Sequence, residues 1–220
     1  MKIITKKEIL PIVLIILAFV VGLLSYSSLP ETIPSHWNAQ GEIDAWSSRN
    51  FGVFFLPSIT LGIYLLITLI PLIDPLKKNY SKFAIPYFWF RTLFILFFVL
   101  LYFYTLWAAL ETKLNINFFI IPAFSVLFTL IGIFLPKVKK NYFVGIKTPW
   151  TIHSEEVWDK THQFGGKCFI VGGILAIFSL LFPQYFLSIF IAVILLTALT
   201  PIIYSYFIFR KINKLNNKVE

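Results

Sequence analysis

Charge is scarce in this chain and cysteine nearly absent. Only 13% of its 220 residues are Asp, Glu, Lys or Arg, against roughly 25% in soluble domains. Too little charge is present to cover a chain that is 58% hydrophobic, so lipid must solvate it. A single cysteine, Cys168, excludes an internal disulfide. Its place at the start of an apolar run makes it a buried, inert thiol. Short segments of alternating polar and apolar residues are also missing, which excludes a membrane β-barrel. No Asp, Glu, Lys or His falls in the middle of an apolar run. Pumps and ion-coupled carriers usually need such groups as relays, so their absence argues against both. Arg91, about two helical turns inside the third run, is expected to snorkel towards the membrane surface.

What the chain does have is six long apolar runs. A helix crossing the hydrocarbon needs about 20 mostly apolar residues, and lipid forces the backbone into helices because it offers no hydrogen-bond partners. The runs 9–29, 51–73, 86–110, 117–135, 168–182 and 186–209 are read as spans. The expected fold is therefore an all-α integral membrane protein, residues 1–220 forming one polytopic domain. The fifth run is short, and is expected to begin nearer Phe164 with Lys167 snorkelling to the interface; a re-entrant pair for the last two runs is the alternative. The first run has a basic flank like a signal peptide but lacks an Ala-x-Ala site, and is read as a retained span. Pro57, Pro122 and Pro201 either kink their helices or break them to expose carbonyls. Gly172, Gly173 and Ala176 offer a small-residue face for close helix packing.

The basic residues set an orientation. Of 19 Lys and Arg, 17 fall at the N-terminus, at the C-terminus or in the second and fourth connections, together with Arg91; only Arg49 and Lys113 lie on the other side. Both termini are therefore expected in the cytoplasm. The +9 formal charge matches basic flanks on anionic headgroups, and no direct nucleic-acid partner is expected. A lipid bilayer is the expected setting.

Two polar segments remain to carry function. The outer one, near 33–49, is entered through Pro30 and Pro34, which hold the entry extended. Asn38 and Gly41 suit the first and fourth positions of a turn, so a small hairpin-like loop is predicted, anchored by Trp37 and Trp46. His36, Asp44 and Arg49 are expected to form a polar cluster there. Two readings stand: a surface that meets a ligand outside the cell, and a structural cap on the first two spans. The inner segment, 136–167, has Ser154 as helix N-cap with Glu155 and Glu156 in the first turn. Val157, Trp158, Thr161, His162 and Gly165 share one face of an amphipathic interfacial helix. His153 and His162 are nine residues apart, unlike the zinc motif of paired histidines, and a metal site needs three or four ligands. No metal, cofactor or catalytic residue is expected, and the chain is not read as an enzyme. This segment either docks a partner or is structural.

Together these segments resemble the SdpI family of bacterial membrane proteins. The outer segment is similar to that family's N-terminal domain of unknown function through Ile33-Pro34, His36-Trp37-Asn38, Gly41, Asp44 and Arg49. The inner segment resembles its signature through Asn141, Gly145-Ile146, Thr148-Pro149-Trp150-Thr151, Ser154-Glu155, Val157-Trp158, Thr161-His162 and Gly165-Gly166. Lys147 and Gln163 depart from the family, which often has Arg there; a lost guanidinium fork weakens bidentate contacts. The resemblance implies an N-terminal module over 9–73 and an SdpI-like module over 86–209. It also implies immunity to a secreted, membrane-active peptide toxin, and signalling in which a transcriptional repressor is held at the membrane. Toxin or ligand contacts would fall on His36, Trp37, Asn38, Asp44 and Arg49. Partner docking, or structural support, would fall on Asn141, Gly145, Thr148, Pro149, Trp150, Trp158 and His162. The alternative is a transporter or permease component without an intramembrane charge relay.

Overall fold

The computed structural model describes residues 6–182 and 184–216; Lys2 and Lys218, counted above among the basic residues of the tails, lie outside them, as does Pro183. Among the described residues, six helices are long and apolar enough to cross a membrane. In chain order they are α1 (Ile9–Ser25), α2 (Arg49–Ile73), α3 (Ala84–Leu110), α4 (Asn117–Phe134), α6 (Glu155–Ile177) and α7 (Phe186–Asn216), with a short α5 (Pro149–His153) before α6. Strands β1 (Thr32–Trp37) and β2 (Ile43–Ser48) form one antiparallel hairpin between α1 and α2. Leu24, Ile73 and Leu181 are each more than two-thirds exposed. Apolar surface of that kind is unfavourable in water and neutral in hydrocarbon. The chain is a multi-pass membrane protein.

One span differs from expectation. The fifth does not begin at Cys168 or Phe164. One helix runs unbroken from Glu155 to Ile177, so the interfacial helix and the span are a single element. Asp159, Lys160 and Lys167 interrupt the apolar composition without interrupting the helix, because Ser154 caps its start by accepting from Val157 N. Helices α2, α4 and α7 also continue through Pro57, Pro122 and Pro201, which sets aside broken helices at those positions.

The chain forms two compact units. One comprises residues up to Leu69 together with Arg91–Ala123. Its core gathers Ile15 and Ala18 of α1, Ile33 of β1, Val53 of α2, and Ile95, Val99, Tyr102 and Leu106 of α3. Burying each such aliphatic side chain contributes about 1.5–3 kcal/mol relative to exposure in water; in lipid, close packing takes over that role. Tyr102 donates to Val53 O at 3.0 Å, satisfying its hydroxyl inside the bundle.

The other unit comprises Ile70–Phe90 and the chain from Phe124 onward. Here α4 and α6 approach backbone to backbone. A Cβ on Gly166 would fall 2.7 Å from Gly132 O, and one on Gly132 would fall 2.6 Å from Gly166 O. Gly173 lies equally close to Ser125 O of α4, and Gly172 packs on Thr197 of α7, so the small-residue face is used as expected.

Candidate functional site

The hairpin is built by its turn. Gly41 N donates to Asn38 O at 2.9 Å, and Asn38 N donates to Glu42 O at 2.9 Å. Gly41 adopts φ +83°, the left-handed position that closes a short hairpin and favours glycine. Asn38 Oδ1 accepts from Gln40 N and Glu42 N, so this side chain is spent on the turn. The tip is then tied to the α3–α4 connection. Ile116 N donates to Gly41 O at 3.0 Å, and Asn115 Nδ2 to Gln40 O at 2.6 Å.

The expected cluster of His36, Asp44 and Arg49 does not form. His36 Nδ1 meets Asp44 Oδ1 at 2.6 Å on an exposed surface. Arg49 instead donates from Nε to Pro30 O at 2.9 Å and lies 5.2 Å over the Tyr26 ring. The cause is register. Ser48 pairs with Thr32, and Arg49 N donates to Glu31 O, which fixes Arg49 at the base of the hairpin while Asp44 sits near its tip. Trp37 is half-buried against Tyr104, Ala108 and Ile116, and its indole N–H is buried with no partner among the described residues.

The segment before α6 is a rigid platform. Asn141 is fully buried, with Nδ2 donating to Lys139 O and Val144 O and Oδ1 accepting from Phe143 N and Val144 N. Gly145 takes φ +114° directly against the His162 ring, where a Cβ has no room. His162 is also fully buried. Ile146 N donates to its Nε2 at 3.0 Å, so that nitrogen is the acceptor and Nδ1 carries the proton given to Trp158 O at 2.8 Å. Trp158 stacks on the same ring at 4.1 Å and donates from Nε1 to Val138 O at 2.9 Å. Thr148 and Thr151 form a capping box at α5, with Pro149 in its first turn. Thr148 Oγ1 also meets Ser205 Oγ of α7 at 3.1 Å.

Of the seven inner residues singled out from sequence, Asn141, Gly145, Thr148, Trp158 and His162 therefore hold the loop together. Pro149 is exposed, and Trp150 is half-buried against Tyr206. The side chains this platform pushes outward are Tyr142 and Phe143.

Two buried acidic sites were missed. Glu8 and Arg91 are 3% and 4% exposed and pair at 2.5 Å. Arg91 also donates to Thr68 Oγ1 at 2.8 Å, and Tyr64 OH donates to Glu8 Oε2 at 2.9 Å. Arg91 thus does not snorkel; Glu8, at the first turn before α1, brings it a counter-ion that no local pattern reveals. In the other unit, Asp74 is 1% exposed and accepts from Leu76 N, Tyr80 OH and Tyr142 N. The signal for Asp74 was an acid followed by proline at the end of an apolar run.

Comparison with known proteins matches this layout at both segments. Residues 137–205, which include the Asn141–His162 platform, match the SdpI/YfhL protein family. Residues 13–61, which hold most of α1, the hairpin and the start of α2, match a domain of unknown function, DUF1648. The immunity protein SdpI of Bacillus subtilis (strain 168) is 27% identical over 209 residues, covering 94% of this chain and 98% of that protein. No solved structure matches the chain. The matched residues span the whole platform and most of α7, so the buried Asn141, Trp158 and His162 all lie within the match.

Proposed function

We propose that this protein protects the cell that makes it from a secreted, membrane-active peptide. The single observation that carries the reading is full-length similarity to a protein named as an immunity protein, with DUF1648 and SdpI/YfhL matches in the same chain. The hairpin end would face outward and meet the peptide. The basic residues support that orientation, with both termini and the platform in the cytoplasm. The finer reading is a signal: the platform, with Tyr142, Phe143, Pro149 and Trp150 at its surface, would hold a transcriptional repressor when toxin is present. The expected partners are thus the bilayer, a peptide toxin and a repressor protein, and the modules would be 9–73 and 86–209. The test is survival of a sensitive cell, with and without this gene, against peptides secreted by the host. Equal killing in both would sink the immunity reading.

A second reading has one observation in its favour. The Glu8–Arg91 pair is a buried ion pair at the start of the first span, and paired ionisable residues among membrane helices often mark transport pathways, which favours a transporter or permease component. Peptide efflux from loaded vesicles that requires Glu8 would favour transport over binding.

A further inference from the structure

Helix α7 is longer than a membrane crossing needs. Tyr206 comes twenty residues after Phe186, where α7 begins, which is about 30 Å along the axis and matches the thickness of the hydrocarbon. The helix then continues to Asn216, through the headgroup layer at that end. Short helix α5 lies beside this turn of α7. Thr148 Oγ1 meets Ser205 Oγ at 3.1 Å, the Trp150 ring lies 5.1 Å from that of Tyr206, and His153 meets Phe209 edge-on at 5.9 Å. The Arg210 guanidinium sits 5.9 Å over the Tyr206 ring, a cation–π contact. Trp150 thus props Tyr206, and Tyr206 carries Arg210.

Ile203, Phe207 and Arg210 follow one another at helical spacing and share a face of α7. Ile203 is 57% exposed and Phe207 63%, and Arg210 is exposed beyond them. Apolar surface therefore gives way to a cation along one stripe, at the depth where acyl chains give way to phosphates.

Charge narrows the occupant. Lys139 is paired with Asp159 and Lys160 with Glu156. From Lys160 to Val219 the sequence has no Asp or Glu. The exposed Arg210, Lys211 and Lys214 accordingly have no ion-pair partner among the described residues. An acidic soluble protein would answer these cations but leave Ile203 and Phe207 uncovered. A zwitterionic lipid would cover the apolar part but bring a cation of its own. An anionic phospholipid supplies both parts in the order of the stripe, and its phosphate suits the planar donor fork of an arginine.

We propose that this stripe is a binding site for one anionic phospholipid, its acyl chain along Ile203 and Phe207 and its phosphate on Arg210. Trp150 and Tyr206 act as positioning residues that hold the guanidinium at headgroup depth. The site does not depend on the immunity reading.

The test uses the full chain in nanodiscs of phosphatidylcholine. Cys168→Ala and Ile203→Cys place a single thiol on the stripe, labelled with bimane. Phosphatidylglycerol or phosphatidylcholine carrying a nitroxide on its acyl chain is then added in rising fraction to quench the label. Half-maximal quenching is expected at a mole fraction about fivefold lower for phosphatidylglycerol, the gain from one basic residue at an anionic headgroup. Arg210→Gln should bring the two curves together, and added salt should do the same to the parent. Trp150→Leu should remove part of the difference. The same label at Leu24→Cys, an exposed position on α1, should report no difference between the lipids. Equal curves at Ile203, or the same difference at Leu24, overturn the proposal. So does a difference that survives Arg210→Gln in a protein unfolding at the parent's temperature. If that variant does not fold, the comparison of Ile203 with Leu24 decides alone. Displacement of the labelled phosphatidylglycerol by inorganic phosphate would assign Arg210 to a free anion, and displacement by polyglutamate would assign it to an acidic protein; either result overturns the lipid site.

Discussion

Glu8 and Arg91, separated by 83 residues in sequence, meet at 2.5 Å with neither side chain more than 4% exposed. The pair joins the start of the first apolar helix to the third, and Tyr64 and Thr68 of α2 complete its hydrogen bonds. Three helices of one unit are thereby fixed by one charged cluster.

Removing one partner leaves the other buried and uncompensated. Arg91→Met or Glu8→Leu should each destabilise the folded protein by roughly 3–5 kcal/mol, and the double variant should recover most of that loss. Thermal unfolding in detergent, read for both singles and the double, gives the coupling directly. A double variant as unstable as the sum of the singles would mean that the pair contributes no coupling.

The platform depends on a glycine for room. Gly145→Ala adds a methyl group against the His162 ring at φ +114°, where a left-handed conformation costs a side-chain-bearing residue roughly 1–2 kcal/mol. The His162–Ile146 hydrogen bond should break and the loop should open. Proteolytic nicking at Lys140 or Lys147 should rise sharply, while His162→Ala in the Gly145→Ala background should restore part of the protection by making space. Unchanged nicking in Gly145→Ala would show that the loop tolerates the methyl group.

On the hairpin, Asp44 is engaged by His36 rather than by Arg49. If the carboxylate attracts a cationic peptide, Asp44→Asn should reduce cell protection without lowering membrane abundance, and raised salt should mimic it. His36→Phe frees Asp44 and should leave protection equal or better. Trp37→Phe keeps much of the packing on Tyr104 and Ile116 but removes the indole N–H, and should weaken protection independently of salt. Stable Asp44→Asn and Trp37→Phe proteins that protect as well as the parent would place recognition elsewhere.

Much of this was legible in the residues, and the failures have physical causes. The turn was readable because Asn38 and Gly41 act locally, through an i to i+3 bond and a positive φ. Ser154 announced the start of α6 for the same reason. The length of α6 was not readable from apolarity: its first half is amphipathic, held by Trp158 and His162 against the loop, and only its second half is uniformly apolar. The roles of His162 and Asn141 needed coordinates, since their partners Ile146, Trp158 and Val144 become neighbours only once the loop is folded. The Glu8–Arg91 pair lay furthest from sequence reasoning. Each residue alone looks like an interfacial charge, and tertiary packing alone makes them partners.

The proposed orientation rests on the 17 basic residues on one side and is open to direct test. Cysteines at Ser47 and Lys113, in a background without Cys168, should label from outside intact cells with an impermeant reagent, and cysteines at Lys78 and Lys140 should not. Labelling at Lys140 alone would invert the assignment and put the platform outside.

The central claim is protection, and the most direct measurement is dye entry into the host itself. The gene is deleted, and cells are exposed to the host's own spent medium with a membrane-impermeant dye. The expected result is rapid dye entry in the deletion strain, suppressed by restoring the parent gene and suppressed only weakly by the Asp44→Asn form. Dye entry that is the same with and without the gene, across media that kill other sensitive cells, would contradict it.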